Sequence, residues 1–304
     1  MVKNTTAFSL ILAVIIGVLV LGIGAARMFG DELPNIEFNQ ERAYQDVITQ
    51  VNFGPRVPGS QAHAFTIQWI EDSLISAGWS AEVQELTYAG QEIKNVIGKI
   101  NAADEQDRPW IILMAHYDSR QTADHDPVPE NRSRPVPGAN DGASGVAVLL
   151  EMARSLSQDI PLEVWLLFVD AEDQGDTPGW DWILGSRAFV DNLTAFPDKV
   201  VLLDMIGDKD LQIFIEKNSF VPLREEIWSV ASELGFSHIF INEPKYSLID
   251  DHIPFLMAGI PAIDIIDFDY PYYHTTADTA DKVSPESLGV IGNVLLTWLE
   301  KQQP

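Results

Sequence analysis

Imidazoles and carboxylates recur at the ends of apolar runs in this sequence. "WIILMAHYDS" leads into His116 and Asp118, "VWLLFVDAEDQG" into Asp170, Glu172 and Asp173, and "VVLLDMIGD" onto Asp204. The apolar "IPAIDII" is followed by "YYHTTADT", which carries His274, and "PGANDGASG" sets Asp141 just ahead of a helical pattern. Burying even one unpaired carboxylate costs several kcal/mol. Three at the mouth of one strand therefore require a positive charge close by. The chain has no cysteine, so a metal held here is held by nitrogen and oxygen. Zinc is the natural choice for such a donor set, and a divalent cation would let Asp173 stay ionised beside its neighbours.

Singly, each residue has a structural reading. Asp141 could cap the helix that follows, Asp204 could bond loop amides, and His116 could be a satisfied buried histidine. Jointly, five ligand-type residues at strand ends or helix starts do not read as five separate caps. Asp118 and Asp170 read as supports, orienting a ligand histidine. The acidic runs at 124–130 and 267–269 read as solvated loop faces.

These residues need elements to carry them. Periodicity predicts helices over 39–52, with Ala43, Val47 and Val51 on one face, and over 61–77, capped by Ser60 and stopped by Gly78, with Phe65, Trp69 and Leu74 inward. Further helices are expected over 143–157, from about Ser186, over 221–234, at 254–258 and over 284–301. Strands are expected over 81–87, 94–100, 110–115, 163–169, 199–207, 237–243 and 260–266. Strands that alternate with helices, several of them apolar throughout, imply an α/β fold: a three-layer, largely parallel mixed sheet with helices on both faces. Ligands of such sheets bind just past the strands' carboxyl ends, where the candidate residues lie.

The chain has 304 residues and a formal net charge of -26, which excludes nucleic acid and anionic lipid surfaces as partners. It suits a secreted or surface-exposed enzyme, or one that collects cations. Residues 4–26 carry no charge, and the core 7–26 is 20 residues long, about 30 Å as a helix. Residues 1–27 are therefore expected to be a single transmembrane anchor, the chain's one contact with a membrane, with Lys3 cytoplasmic and the remainder outside. Gly24, Ala25 and Ala26 keep a cleaved, secreted form open. Residues 28–37 read as a linker and 38–304 as one catalytic domain.

"AHYDS", "GANDGASGVAVLLEMAR", "DAEDQG…GSRAF", "LLDMIGD" and "YYHTTADT" resemble, in order, the blocks of the di-zinc aminopeptidase family, which includes bacterial leucyl aminopeptidases and animal-type glutaminyl cyclases. The resemblance spans about residues 40–300. It implies that Asp141 bridges or anchors the metal site, that Asp173 and His274 complete one zinc, and that His116 and Asp204 complete a second. Glu172 would be the general acid/base. The family's Glu-Glu pair is Glu172-Asp173 here, one methylene shorter at the ligand.

Two stretches resemble the cyclase branch. "DDHIPF" matches a cyclase block that implies a catalytic role for Asp251, which could equally cap the helix after it. The eleven residues between Asp173 and Gly185 form a longer loop than simple aminopeptidases carry, and Trp180 or Trp182 could supply its pocket tryptophan. Against this, Tyr273 stands where animal cyclases have Trp beside the last zinc histidine. The resemblance implies a zinc-dependent glutaminyl-peptide cyclotransferase, with peptide N-termini as substrate, or alternatively a zinc aminopeptidase. A non-catalytic ectodomain on this scaffold would be expected to lose ligands, and none is missing.

Overall fold

The computed structural model describes residues 38–100 and 108–302. The expected membrane span and linker lie outside the described residues, among which no helix is long and apolar enough to cross a membrane.

The described residues open with two helices, α1 (Gln40–Phe53) and α2 (Gln61–Ser76), and an antiparallel pair, β1 (Ser80–Tyr88) and β2 (Gln91–Ile100). Then come β3 (Trp110–His116), α3 (Ala143–Ser155), β4 (Glu163–Val169), α4 (Leu184–Asp191) and β5 (Lys199–Asp204). The remainder is β6 (Ile213–Glu216), α5 (Val221–Glu233), β7 (Phe240–Tyr246), α6 (His252–Met257), β8 (Ala262–Ile266) and α7 (Pro285–Glu300). Asn39, Ser60 and Ser284 cap α1, α2 and α7, each side chain accepting a backbone N–H three residues on.

Six strands form one mixed sheet in the order β1-β2-β4-β3-β5-β8. The β3, β4, β5 and β8 strands run parallel, and β2 joins β4 antiparallel. The parallel strands are apolar on both faces because helices cover both. Ile112, Met114, Leu167, Val169, Val200 and Leu202 pack with Phe189 of α4 and Phe255 of α6. On the opposite face Gly145 of α3 lies against Ala115 and Leu203. α1, α2 and α7 pack on α3 in turn, which is why α3 is buried nearly all round.

The register brings the chemistry to one edge. His116 pairs with Val169 at the end of β4, and Met114 with Leu202, so His116, Asp170 and Asp204 leave the sheet side by side.

The inward face of α2 differs from expectation. Ala62, His63, Thr66, Ile70 and Leu74 are buried, while Phe65 is 51% exposed and lies against the ring of Phe53 at the end of α1. His63 takes the inward place because Asp170 accepts from its ring at 2.8 Å, so a polar residue held a position that an apolar pattern assigns to Phe. The short β6, which pairs with β7 in a separate two-stranded sheet, has four residues, too few to show a period.

Candidate metal centre

Two trios of donors meet at the carboxyl edge of the sheet, and Asp141 belongs to both. In the first, His116 Nε2 lies 3.1 Å from Asp141 Oδ1 and 3.2 Å from Asp204 Oδ1. In the second, His274 Nε2 lies 2.9 Å from Asp173 Oδ1 and 3.9 Å from Asp141 Oδ2. The shorter acid at 173 thus still reaches the imidazole. All five residues are buried.

The structure does not use Asp141 as a cap: Gly142 occupies the N-cap of α3, with no side-chain capping bond. A Cβ on Gly142 would collide with the carbonyl and ring of His116, so only glycine lets that imidazole come against the loop. Asp278 fixes the loop from behind, accepting from the N–H of Asn140 at 2.9 Å and of Asp141 at 3.2 Å. Arg56, fully buried, donates to the carbonyls of Tyr117, Pro137 and Gly138. Sequence reasoning read Arg56 only as part of a Pro/Gly turn. The one signal it offered was a lone cation between two prolines.

Three non-glycine residues beside the donors have left-handed backbones: Ala171 after β4, Met205 after β5, and His274 itself, with φ of 52, 46 and 55°. Each costs roughly 1–2 kcal/mol, and such strain gathers where surrounding packing over-determines the chain.

Asp118 sits 3.4 Å from His116 Nδ1 and accepts from the N–H groups of Glu172 and Asp173. It therefore ties the first histidine to the acidic pair after β4. Asp170 instead serves His63, not a donor of either trio. The acidic runs expected to be solvated faces are partly structural. Asp124 lies 3.4 Å from His274 Nδ1, Asp126 is 2% exposed and bonds Thr276, and Asp267 is 1% exposed and accepts from Gln212 and Asp269. Loop backbone and side chains outcompete water for these carboxylates.

A cavity of about 300 Å³ opens over the carboxylates of both trios, lined by Asp141, Glu172, Asp173, Asp204 and Asp250 with Trp182, Phe268 and Tyr273 among its walls. Trp182 lies parallel to the His274 ring, 6.1 Å between centroids, and is backed by the Arg120 guanidinium at 4.8 Å. Tyr273 stacks on the same ring at 3.6 Å. Gly175 makes room for Trp182, since a Cβ there would overlap the indole.

Two expected residues are elsewhere. Trp180 packs with Ile93, Ala171, Leu184 and Ala188, because the loop turns between the two tryptophans. Asp251 is fully buried, with Oδ1 accepting from Ser186 Oγ at 2.5 Å, and it neither lines the cavity nor caps α6. Its neighbour Asp250 takes the cavity-facing place. The polypeptide enters α6 at this point, so consecutive side chains diverge.

The electrostatics show a site short of positive charge. Burial pushes the Glu172 carboxyl well above the usual range, and Asp250 and Asp173 push the same way. Burial lifts Asp173 to about 6, with His274 pulling it down and Asp141 pushing it up. Burial alone would lower the His274 pKa, but Asp173 and Asp124 raise it to about 9. Both Asp173 oxygens, Asp141 Oδ2 and His274 Nε2 are buried with no hydrogen bond. Buried carboxylates and imidazole nitrogens aimed at one another without donors fit a divalent cation bound among them.

A mixed α/β sheet with this oxygen-and-nitrogen donor set on its carboxyl edge fits a metal-binding enzyme fold. The fold superimposes on a Zn-dependent exopeptidase from Parabacteroides distasonis with a TM-score of 0.81 and 34% identity, covering 86% of this chain and 98% of that one. The model of peptidase family M28 matches residues 95–299: the chain belongs to that family. Tannerella forsythia glutaminyl cyclase is similar in structure, with a TM-score of 0.80 and 32% identity over 86% of this chain and 98% of that one. The glutaminyl-peptide cyclotransferase-like protein of Bos taurus is 25% identical over 282 residues, 80% of this chain and 71% of that protein. Aminopeptidase YwaD of Bacillus subtilis is 29% identical over 227 residues, 68% of this chain and 44% of that protein.

Proposed function

We propose that the protein is a zinc-dependent glutaminyl-peptide cyclotransferase, converting the N-terminal Gln of a peptide to pyroglutamate with release of ammonia. The observation that carries this reading is the cavity. It sets Glu172 and Asp250 beside the donors Asp141, Asp173 and Asp204 under aromatic walls, with space for one glutaminyl end. Neither His116 nor His274 lines it, but Tyr273 and Trp182, which stack on the His274 ring, do, so we take the His274 trio as the one beside substrate. The longer loop at 174–184 roofs the cavity with Trp182, which favours cyclisation over trimming.

Asp141, Asp173 and His274 would hold zinc, with His116 and Asp204 offering a second place. Zinc bound there supplies Lewis-acid polarisation of the substrate's side-chain carbonyl. Glu172 accepts the proton of the α-amine as its nitrogen attacks the side-chain carboxamide carbon (Cδ), then returns it to the amide nitrogen, which leaves as ammonia. Asp250 holds the amino group in the pose for attack. Trp182 and Tyr273 exclude water, so the amine rather than water is the nucleophile.

The domain at 38–304 acts on peptide or small-protein N-termini outside the cytoplasm, tethered through residues 7–26. That placement rests on the uncharged span and its flanking Lys3 and Arg27. The discriminating assay pairs cyclisation of a Gln-peptide with release of the N-terminal residue from a Leu- or Ala-peptide. Cyclisation alone is expected. Trimming alone would make the protein an aminopeptidase.

A further inference from the structure

The loop at 117–138 meets the turn carrying His274 at three consecutive positions. Asp124 Oδ1 lies 3.4 Å from His274 Nδ1, within ion-pair range, and Nδ1 is buried with no hydrogen bond formed to any group among the described residues. The His125 N–H donates to the His274 carbonyl at 3.2 Å. Asp126 accepts from the N–H and hydroxyl of Thr276 at 3.0 and 2.6 Å. His274 has a left-handed backbone, which a non-glycine residue holds only when its surroundings impose it. The Arg120 guanidinium, buried, grips both oxygens of Asp124 at 2.8 and 2.7 Å and donates to the Asp173 carbonyl at 3.1 Å.

Asp124, His125 and His274 also stand close enough to hold an ion of their own. The imidazole argues against that use. With a metal on Nε2, facing Asp141 and Asp173, the ring would carry its proton on Nδ1, and the group beside Nδ1 is the Asp124 carboxylate. On the first trio, Asp118 stands in the same relation to His116, also at 3.4 Å.

We propose that Asp124, clamped by Arg120, is a positioning residue for His274: it accepts the Nδ1 proton, fixes the tautomer and aims Nε2 into the metal site. This rests on reading the second trio as a zinc site. Carboxylates placed behind ligand histidines in this way change metal affinity by about 10–100-fold. The loop is thereby part of the metal site, although none of its residues between Ser119 and Gly138 belongs to either trio that shares Asp141.

The test is zinc affinity, read by competition with a chromophoric chelator on the folded protein. Asp124→Ala is expected to weaken binding by about 10–100-fold, and Asp124→Asn, which keeps an acceptor oxygen, to recover part of the loss. In a His274→Ala background Asp124→Ala should have no further effect, because the support acts only through that ring. Unchanged affinity in Asp124→Ala, or an equal loss in both backgrounds, would overturn the proposal. So would an equal loss in Glu130→Gln, an exposed position of the same loop, since general disturbance of the loop would then be the cause. A wild type that binds zinc without forming pyroglutamate would refute the cyclase reading and leave this inference standing.

Discussion

The two halves of the site use the same chemistry on different foundations. His116 and Asp204 are the last residues of β3 and β5, fixed by the sheet's own register, and Asp118 behind His116 is fully buried. Asp173 and His274 sit on loops, and the carboxylate behind His274 has a side chain 41% exposed. The strand-end half is rigid because backbone hydrogen bonds set it. The loop half depends on a chain of side chains: Arg120 on Asp124, Asp124 on His274, Trp182 over both. Both halves border the cavity, the loop half through Asp173 and the strand-end half through Asp204, but the aromatic walls Trp182 and Tyr273 belong to the loop half. A scaffold holds one histidine, and substrate-facing loops hold the other.

Asp141 joins the halves, so Asp141→Asn should have the largest effect. Zinc content should fall to background together with activity, as metal analysis of the purified protein would show. A variant that kept its full zinc would mean that the halves do not share a ligand. Glu172→Gln is expected next: it retains shape and zinc but cannot shuttle a proton, so turnover should fall by about 10²–10⁴-fold. Loss of zinc in this variant would move Glu172 from the acid/base role into the ligand set.

The tryptophan pair sharpens the contrast within the loop half. Trp182→Ala removes an aromatic cavity wall; if the indole contributes about 0.5–1.5 kcal/mol of contact to the substrate, KM should rise by roughly 2–12-fold. Trp180→Ala should lower thermal stability and leave KM alone. The reverse pattern would reassign the pocket.

A smaller effect concerns the support under the cavity wall at 247–251. Burial raises the Glu216 pKa, but His252 and the backbone of Asn218 and Leu248 bring it down to about 2. The folded value lies below the ordinary ~4.3. Its stabilising contribution is therefore fully present above about pH 4.3 and is lost as pH falls toward 2. Glu216→Gln should flatten the stability profile across that window, measured by urea unfolding at stepped pH. An unchanged acid limb would show that the wall is held by other groups.

The sequence by itself determined the parts that local physics governs. Apolar runs ending in donors marked β3, β4 and β5, and Ser60 and Gly78 marked the ends of α2. The donor types marked a nitrogen-and-oxygen metal site, because no cysteine was present to compete. Tertiary structure alone decided which neighbour faces inward. Asp250 rather than Asp251, and Trp182 rather than Trp180, line the cavity because loop dihedrals, unlike strand or helix periods, leave no repeating signal. His63 displaced Phe65 from the core through a bond to Asp170, 107 positions away. Arg56 found its carbonyl partners 61, 81 and 82 positions away, and Asp124 meets His274 from a distant loop. Such groups read as solvated until the fold removes the water and supplies the opposite charge.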